Sequence, residues 1–212
     1  MKKVIFSQRV EVIENYEERR ECIDQNVVKF IYTCGYIPIP VNNIPGKVEE
    51  FIHEIKPDGI ILTGGNNLVK YGGDAPERDE TERKLITEGI RMHIPIYGFC
   101  RGMQMIEDYF GCELEKVEGH VRKRHVLSDE TEKADSISTK YGFSYQHENV
   151  NSYHNFAAGT ANLPLVILAR SEDGIIEAVC HKKENIYANM WHPERENPFR
   201  TEDIERFKKI FG

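Results

Sequence analysis

Apolar positions along the first half of the chain fall into short unbroken runs separated by amphipathic ones. "VIFS" (Val4 to Ser7) is strand-sized and apolar to its last residue. Glu14 to Tyr32 is charged, with apolar side chains at Ile23, Val27, Val28 and Ile31, a spacing that predicts an amphipathic helix stopped by Cys34-Gly35. "YIPIPV" reads as an extended piece whose prolines suit a sheet edge or a strand end. Val48 to Ile55 predicts a second helix, closed by Lys56-Pro57. "DGIILTGG" is a buried strand running into a glycine turn. Glu77 to Met92 is a third helix with Leu85, Ile86 and Ile90 on one face. "IPIYGF" is another buried strand, and Met103 to Phe110 the helix after it. Strand alternates with helix, and the strands are apolar throughout, as a parallel sheet covered on both faces requires.

The second half changes period. "FSYQHENVNSYHN", "LPLVILARSEDGIIEAVCH" and "ENIYANMWHPE" are mostly strand-like, with "EDG" as a hairpin turn. Thr201 to Phe211 predicts a closing helix, capped by Thr201 and packed through Ile204, Phe207, Ile210 and Phe211. The expected architecture is a single α/β domain over residues 1–212, a central mostly parallel sheet with added antiparallel strands in the C-terminal half.

Composition narrows the function. The chain has 212 residues, 40% hydrophobic and 30% charged, enough for a sizeable core. A net charge of -7 argues against a nucleic acid polymer as partner. No apolar run is long enough to span a bilayer, and the N-terminal "MKKVIFSQRV" lacks the features of a signal peptide. The five cysteines, Cys22, Cys34, Cys100, Cys112 and Cys180, include no CxxC pair. Neither a disulfide framework nor a zinc site is indicated, and a cytoplasmic setting is expected. A metal site from His147, His154 and nearby acids lacks convincing ligand spacing, so no metal or other cofactor is expected.

The chemistry concentrates in "IPIYGFCRGMQMI". Cys100 stands between a strand and a helix, flanked by Gly98 and Gly102, the pattern of a nucleophile elbow. The unpaired N–H groups of a helix start and its positive end favour a thiolate there. The alternative is a small buried hydrophobe on a turn. A nucleophile needs a base, an orienting group and oxyanion donors. "WHPE" supplies His192 as base at a strand end and Glu194 to hold its tautomer. His53 and His93 fit an ordinary structural role better. "LTGGNN" supplies the Gly65 N–H, which together with that of Arg101 is the expected oxyanion pair. The basic run "HVRKRH" is either a solvated loop or a clamp in which Arg122 and Arg124, with Arg9, hold an anion on the leaving group.

Taken in order, "TGG", "YGFCRGMQ" and "WHPE" resemble the class I glutamine amidotransferases. "RDETE", the Arg101 of "CRG", "VNSYHN" and "DGIIEAV" resemble the branch of γ-glutamyl amine hydrolases, the peptidase C26-like proteins typified by γ-glutamyl-γ-aminobutyrate hydrolase. The resemblance covers nearly the whole chain. It implies a flavodoxin-like sheet, a Cys100–His192–Glu194 triad, and oxyanion donors at Gly65 and Arg101. It further implies that Gln104, Asn151, Ser152, Tyr153 and His154 contact the glutamyl α-amino and α-carboxylate groups. Asn155, Trp191 and Met190 depart from the branch's pattern and leave the triad intact. The start "SQRV" narrows the resemblance toward γ-glutamyl-CDP-amidate hydrolases, which act in capsule phosphoramidate synthesis. A small γ-glutamyl substrate with a phosphorylated or nucleotide-linked leaving group is therefore expected. Two alternatives stay open: a glutaminase subunit feeding ammonia to a separate synthetase, and a catalytically silent binding domain. A homodimer is also compatible with the sequence.

Overall fold

The computed structural model describes residues 1–131 and 141–212. Its elements run β1 (Lys3–Ser7), β2 (Arg9–Ile13), β3 (Glu18–Cys22), α1 (Gln25–Thr33), β4 (Ile37–Val41), α2 (Val48–Ile55), β5 (Gly59–Leu62), α3 (Pro76–Arg91), β6 (Ile96–Phe99) and α4 (Arg101–Tyr109). After these come β7 (Leu114–Lys116), β8 (Val121–Asp129), β9 (Asn149–Tyr153), β10 (Phe156–Ala158), β11 (Leu165–Ser171), β12 (Ile176–His181), β13 (Ile186–Asn189) and α5 (Thr201–Phe211). Nine strands form one sheet in the order β4-β1-β5-β6-β13-β12-β11-β8-β9. The first five are mutually parallel, and from β13 onward each neighbour is antiparallel. This is the α/β class the sequence implies. No helix among the described residues is long and apolar enough to cross a membrane.

Strand periodicity divides the core between the two faces. Val4, Phe6, Ile61, Tyr97 and Phe99 pack with Val27, Phe30 and Ile31 of α1 and Phe207, Ile210 and Phe211 of α5. The alternate residues Ile5, Ile60, Leu62 and Ile96 pack with Ile52 of α2, Leu85 and Ile86 of α3, and Met103 and Ile106 of α4. Pro38 and Pro40 lie on β4, which is an edge strand, so no ladder donor is missed on its free side.

Three local expectations are corrected. Glu14 to Cys22 is not helical: Arg9–Ile13 and Glu18–Cys22 pair as a hairpin, turning at Glu17 with φ 52°. The helix begins only after Asp24, whose carboxylate accepts the Asn26 N–H at 2.9 Å. Thr201 is the first helical residue of α5; Arg200 occupies the cap position and its side chain does not cap the helix. The basic run read as a loop is the start of strand β8, because Val121 to Val126 pairs antiparallel with β9.

Two glycines set how closely β5, β6 and α4 approach. A Cβ on Gly102 would lie 2.0 Å from the Leu62 carbonyl oxygen, and one on Gly98 would lie 2.8 Å from the Gly102 backbone. A Cβ on Gly98 would also meet the Ile106 side chain at 2.7 Å, but the Leu62 and Gly102 backbone atoms cannot turn aside. Gly102→Ala is expected to cost about 1–3 kcal/mol of unfolding free energy in urea titrations, the range for overpacking. A change within about 0.5 kcal/mol, as for a neutral surface site, would show that the helix can shift freely.

Candidate active site

Cys100 ends β6 and caps α4 with φ 51° and ψ −110°, a conformation that a side chain with a Cβ rarely adopts. The turn is held from both sides: the Cys100 N–H donates to the Asn189 carbonyl at 2.9 Å, and its carbonyl accepts the Gln104 N–H at 3.1 Å. β13 lies beside β6 in parallel register, with Asn189 opposite Phe99. The two strand ends therefore deliver Cys100 and, three residues past Asn189, His192 to the same edge of the sheet.

His192 Nδ1 lies 2.7 Å from Glu194 Oε1, and both residues are buried. Asn151 clamps the backbone of His192, accepting its N–H at 2.9 Å and donating to its carbonyl at 2.8 Å. The ring sits edge-on to Phe99 and Tyr153, with centroids 5.8 and 5.6 Å away. Burial disfavours a charged ring here. The Cys100 sulfur and the Glu194 carboxylate, through charge and hydrogen bonding, outweigh it and push the imidazole up to about 10. The geometry is that of a thiol, an imidazole and an orienting carboxylate in sequence.

The glycine turn after β5 is held by one guanidinium. Arg78, fully buried on α3, donates Nη2 to the carbonyls of Thr63 at 2.8 Å and Gly64 at 3.1 Å, and Nη1 to that of Gly65. The N–H of Gly65 belongs to the same trans peptide as the Gly64 carbonyl, so it points away from Arg78. Arg78 Nε in turn donates to Glu82 at 3.0 Å, while the buried Arg101 side chain reaches Glu82 and Asp79. Burial works against a charged Glu82, but Arg101 and Arg78 hold its carboxyl below the usual carboxylate range. Arg101 thus anchors its side chain in α3, and its backbone N–H is in the first turn of α4, where no intrahelical acceptor exists. Nothing in "RDETE" read alone points to this network; only the fold puts Arg78, Asp79 and Glu82 beneath both turns.

The 151–154 run does not act as one loop, because residues 151–153 belong to strand β9, His154 follows it directly, and the side chains alternate. Asn151 and Tyr153 face His192. Ser152 is turned to the other side, where its hydroxyl donates to the His120 carbonyl at 2.7 Å, and His154 is buried beside Glu177 and His120. Ser152 and His154 are therefore outside the cleft, and the Asn151 amide is engaged with His192 and Glu196. Gln104 lies one turn beyond Cys100 and donates to the Phe156 carbonyl at 2.8 Å.

A small cleft beside the ring is lined by Arg9, Ile23, Asp24, Val27, Gly64, Gly65, Phe99, His192, Glu194 and Arg195. Arg9 lines this cleft. Arg124 is instead tied to Glu196 at 2.9 Å and to the Asn149 side chain at 2.6 Å, and Arg122 is exposed on β8, outside the cleft lining. The other cation lining the cleft is Arg195, stacked 4.1 Å over the Tyr153 ring. Its one sequence signal is its place directly after "HPE".

The raised imidazole ties stability to pH. A folded-state value above the ordinary 6.5 gives stability that is complete below pH 6.5 and is lost as pH rises toward 10. Glu194→Gln removes one cause of the shift, so its unfolding free energy should fall less than that of the wild type across this interval. Equal losses in urea titrations would mean that Glu194 does not hold the charged ring.

The peptidase C26 family model matches residues 5–194. A γ-glutamyl-CDP-amidate hydrolase from Campylobacter jejuni is 34% identical over 98% of this chain and 96% of its own length. A glutamine-hydrolysing GMP synthase subunit from Methanosphaera stadtmanae is 32% identical over 84% of this chain and 88% of its own. A solved structure of a GMP-synthase-subunit-like chain from Thermoplasma acidophilum superposes with a TM-score of 0.71, covering 100% of this chain and 94% of that one at 18% identity. The sheet and its covering helices are those of a glutamine amidotransferase-like fold, and the chain belongs to the peptidase C26 family.

Proposed function

We propose that the protein hydrolyses a γ-glutamyl amide through a thioester on Cys100. The observation that carries this is the meeting of a strained cysteine turn with an imidazole held by a carboxylate at 2.7 Å. The chain is a C–N amide hydrolase of the glutamine amidotransferase-like type. In the proposed mechanism the Cys100 thiol passes its proton to His192, the thiolate sulfur attacks the γ-carbonyl carbon and the π electrons move to oxygen. The N–H groups of Gly65 and Arg101 receive that oxyanion, each worth roughly 3 kcal/mol of barrier by analogy with other oxyanion donors. Imidazolium at His192 protonates the departing nitrogen as the C–N bond breaks. The neutral ring then takes a proton from water, hydroxide adds to the thioester, and the C–S bond breaks to release glutamate and the thiolate.

The leaving group we propose is a nucleotide-linked phosphoramidate, with γ-glutamyl-CDP-amidate as the substrate. The near full-length similarity to the Campylobacter jejuni enzyme supports it, as do Arg9 and Arg195 beside the ring, where a diphosphate on the leaving group would be held. The similarity to the GMP synthase subunit from Methanosphaera stadtmanae favours a second reading, a glutaminase that passes ammonia to a synthetase.

Glutamate release from γ-glutamyl-CDP-amidate, from γ-glutamyl amines without phosphate and from free glutamine separates the two. The first reading predicts turnover without any partner, a preference for the nucleotide-linked substrate, and loss of roughly 10⁴-fold or more in kcat for Cys100→Ala. Arg195→Ala should raise KM for the phosphorylated substrate more than for the plain amide. Glutamine turnover only on adding a synthetase would favour the second reading. Hydrolysis that survives Cys100→Ala would remove the mechanism altogether.

A further inference from the structure

Behind β9, on the face away from His192, four side chains converge, with Glu177 only loosely paired to His154 and His120 at 3.4 and 3.7 Å. His120, His125, His154 and Glu177 each offer one ligand atom, and these atoms lie within 4.8 Å of one another. His120, His154 and Glu177 are buried and His125 is half-buried. His120 Nδ1, His125 Nε2, His154 Nε2 and both carboxylate oxygens of Glu177 are buried atoms with no hydrogen-bond partner. Buried polar atoms without a well-formed hydrogen bond are rare in a native interior, and five in one place, joined to one another only by loose ion pairs, call for a common partner.

The strand geometry explains how they meet. His120 and His125 are five apart, which on a regular strand would put them on opposite faces. The pairing with β9 shifts register between Val121 and Lys123, and Arg122 has φ 54°. That bulge absorbs one residue and turns both histidines to the same face. His154, whose N–H donates to the His120 carbonyl at 3.1 Å, follows β9 on that face, and Glu177 comes from β12.

We propose that this cluster is a site for one divalent metal ion of the zinc class, with three imidazoles and one carboxylate as ligands. Zinc–ligand bonds of about 2.0–2.1 Å in a tetrahedron place ligand atoms about 3.3–3.4 Å apart. His154 Nε2 is already 3.4 Å from Glu177 Oε1, and His120 Nδ1 is 3.7 Å from it. The outer nitrogens are held as metal-bound histidines require. His120 Nε2 faces Asp173 at 2.8 Å and His154 Nδ1 faces the Phe156 carbonyl at 3.2 Å, so each ring carries its proton outside and turns a lone pair inward. Four protein ligands close the sphere, which makes the ion a structural brace. It holds the back of the strand whose front carries Asn151 and Tyr153, and Gln104 shares the Phe156 carbonyl with His154. The site is separate from the triad and does not depend on the hydrolase reading.

The test is zinc titration of the metal-stripped full-length protein, wild type and Cys100→Ser, the latter excluding capture by the catalytic thiol. One equivalent should bind per chain in both, raise the melting temperature, and exchange for Co²⁺ with intense tetrahedral visible bands and no thiolate charge-transfer band. His125→Ala should abolish binding. Asp173→Asn changes an exposed carboxylate outside the ligand set and should weaken affinity by about 10- to 100-fold while leaving the fold intact. Failure of the wild type to bind zinc stoichiometrically would overturn the proposal. So would binding that is lost in Cys100→Ser, or binding unchanged in both His125→Ala and Asp173→Asn.

Discussion

The structure depends most on the backbone at Cys100. A residue with a Cβ is held at φ 51°, and the strain persists because its N–H is tied to Asn189 and its carbonyl to Gln104. The first bond comes from the neighbouring parallel strand and the second from the helix that the cysteine starts. The same strand, β13, leads directly to His192. One pair of adjacent strand ends therefore fixes the conformation of the thiol-bearing residue and the position of its partner together. Gly98 and Gly102 are what allow the strands and helix to come close enough for this.

Around that corner the protein places its charges where water cannot screen them. Arg78, Glu82 and Arg101 are buried almost completely, an arrangement that contributes little net stability when fully paired and costs several kcal/mol when one partner is removed. Its value lies in orientation. Arg78 gathers three successive carbonyls of the glycine turn, and Arg101 anchors the first turn of the helix. Both backbone donors of the proposed oxyanion hole are positioned by one ionic network.

Much of this was legible in the sequence because short-range rules decide it. Apolar strands followed by amphipathic helices revealed the parallel half, and glycine, cysteine and glycine at 98, 100 and 102 revealed the elbow. The misreadings come from information that one segment does not contain. Glu14 to Cys22 has the charge density of a surface helix, and only pairing with Arg9–Ile13 makes it a strand. Asn151 to His154 reads as a single recognition loop until strand alternation divides it between two faces. His120 and His125 lack a ligand spacing until the bulge at Arg122 shortens the count by one. Arg78 and Glu82 are charged residues on a helix, ordinarily a solvated pattern, and their burial follows from tertiary packing alone.

The central claim is that the Cys100 sulfur forms a bond with the γ-carbonyl carbon. Acid quenching during turnover of a γ-glutamyl substrate, followed by proteolysis and mass spectrometry, tests it most directly. The account predicts a glutamyl adduct on the peptide that contains Cys100, labile to hydroxylamine as a thioester is. Steady turnover with that peptide unmodified and the adduct on another residue would contradict it.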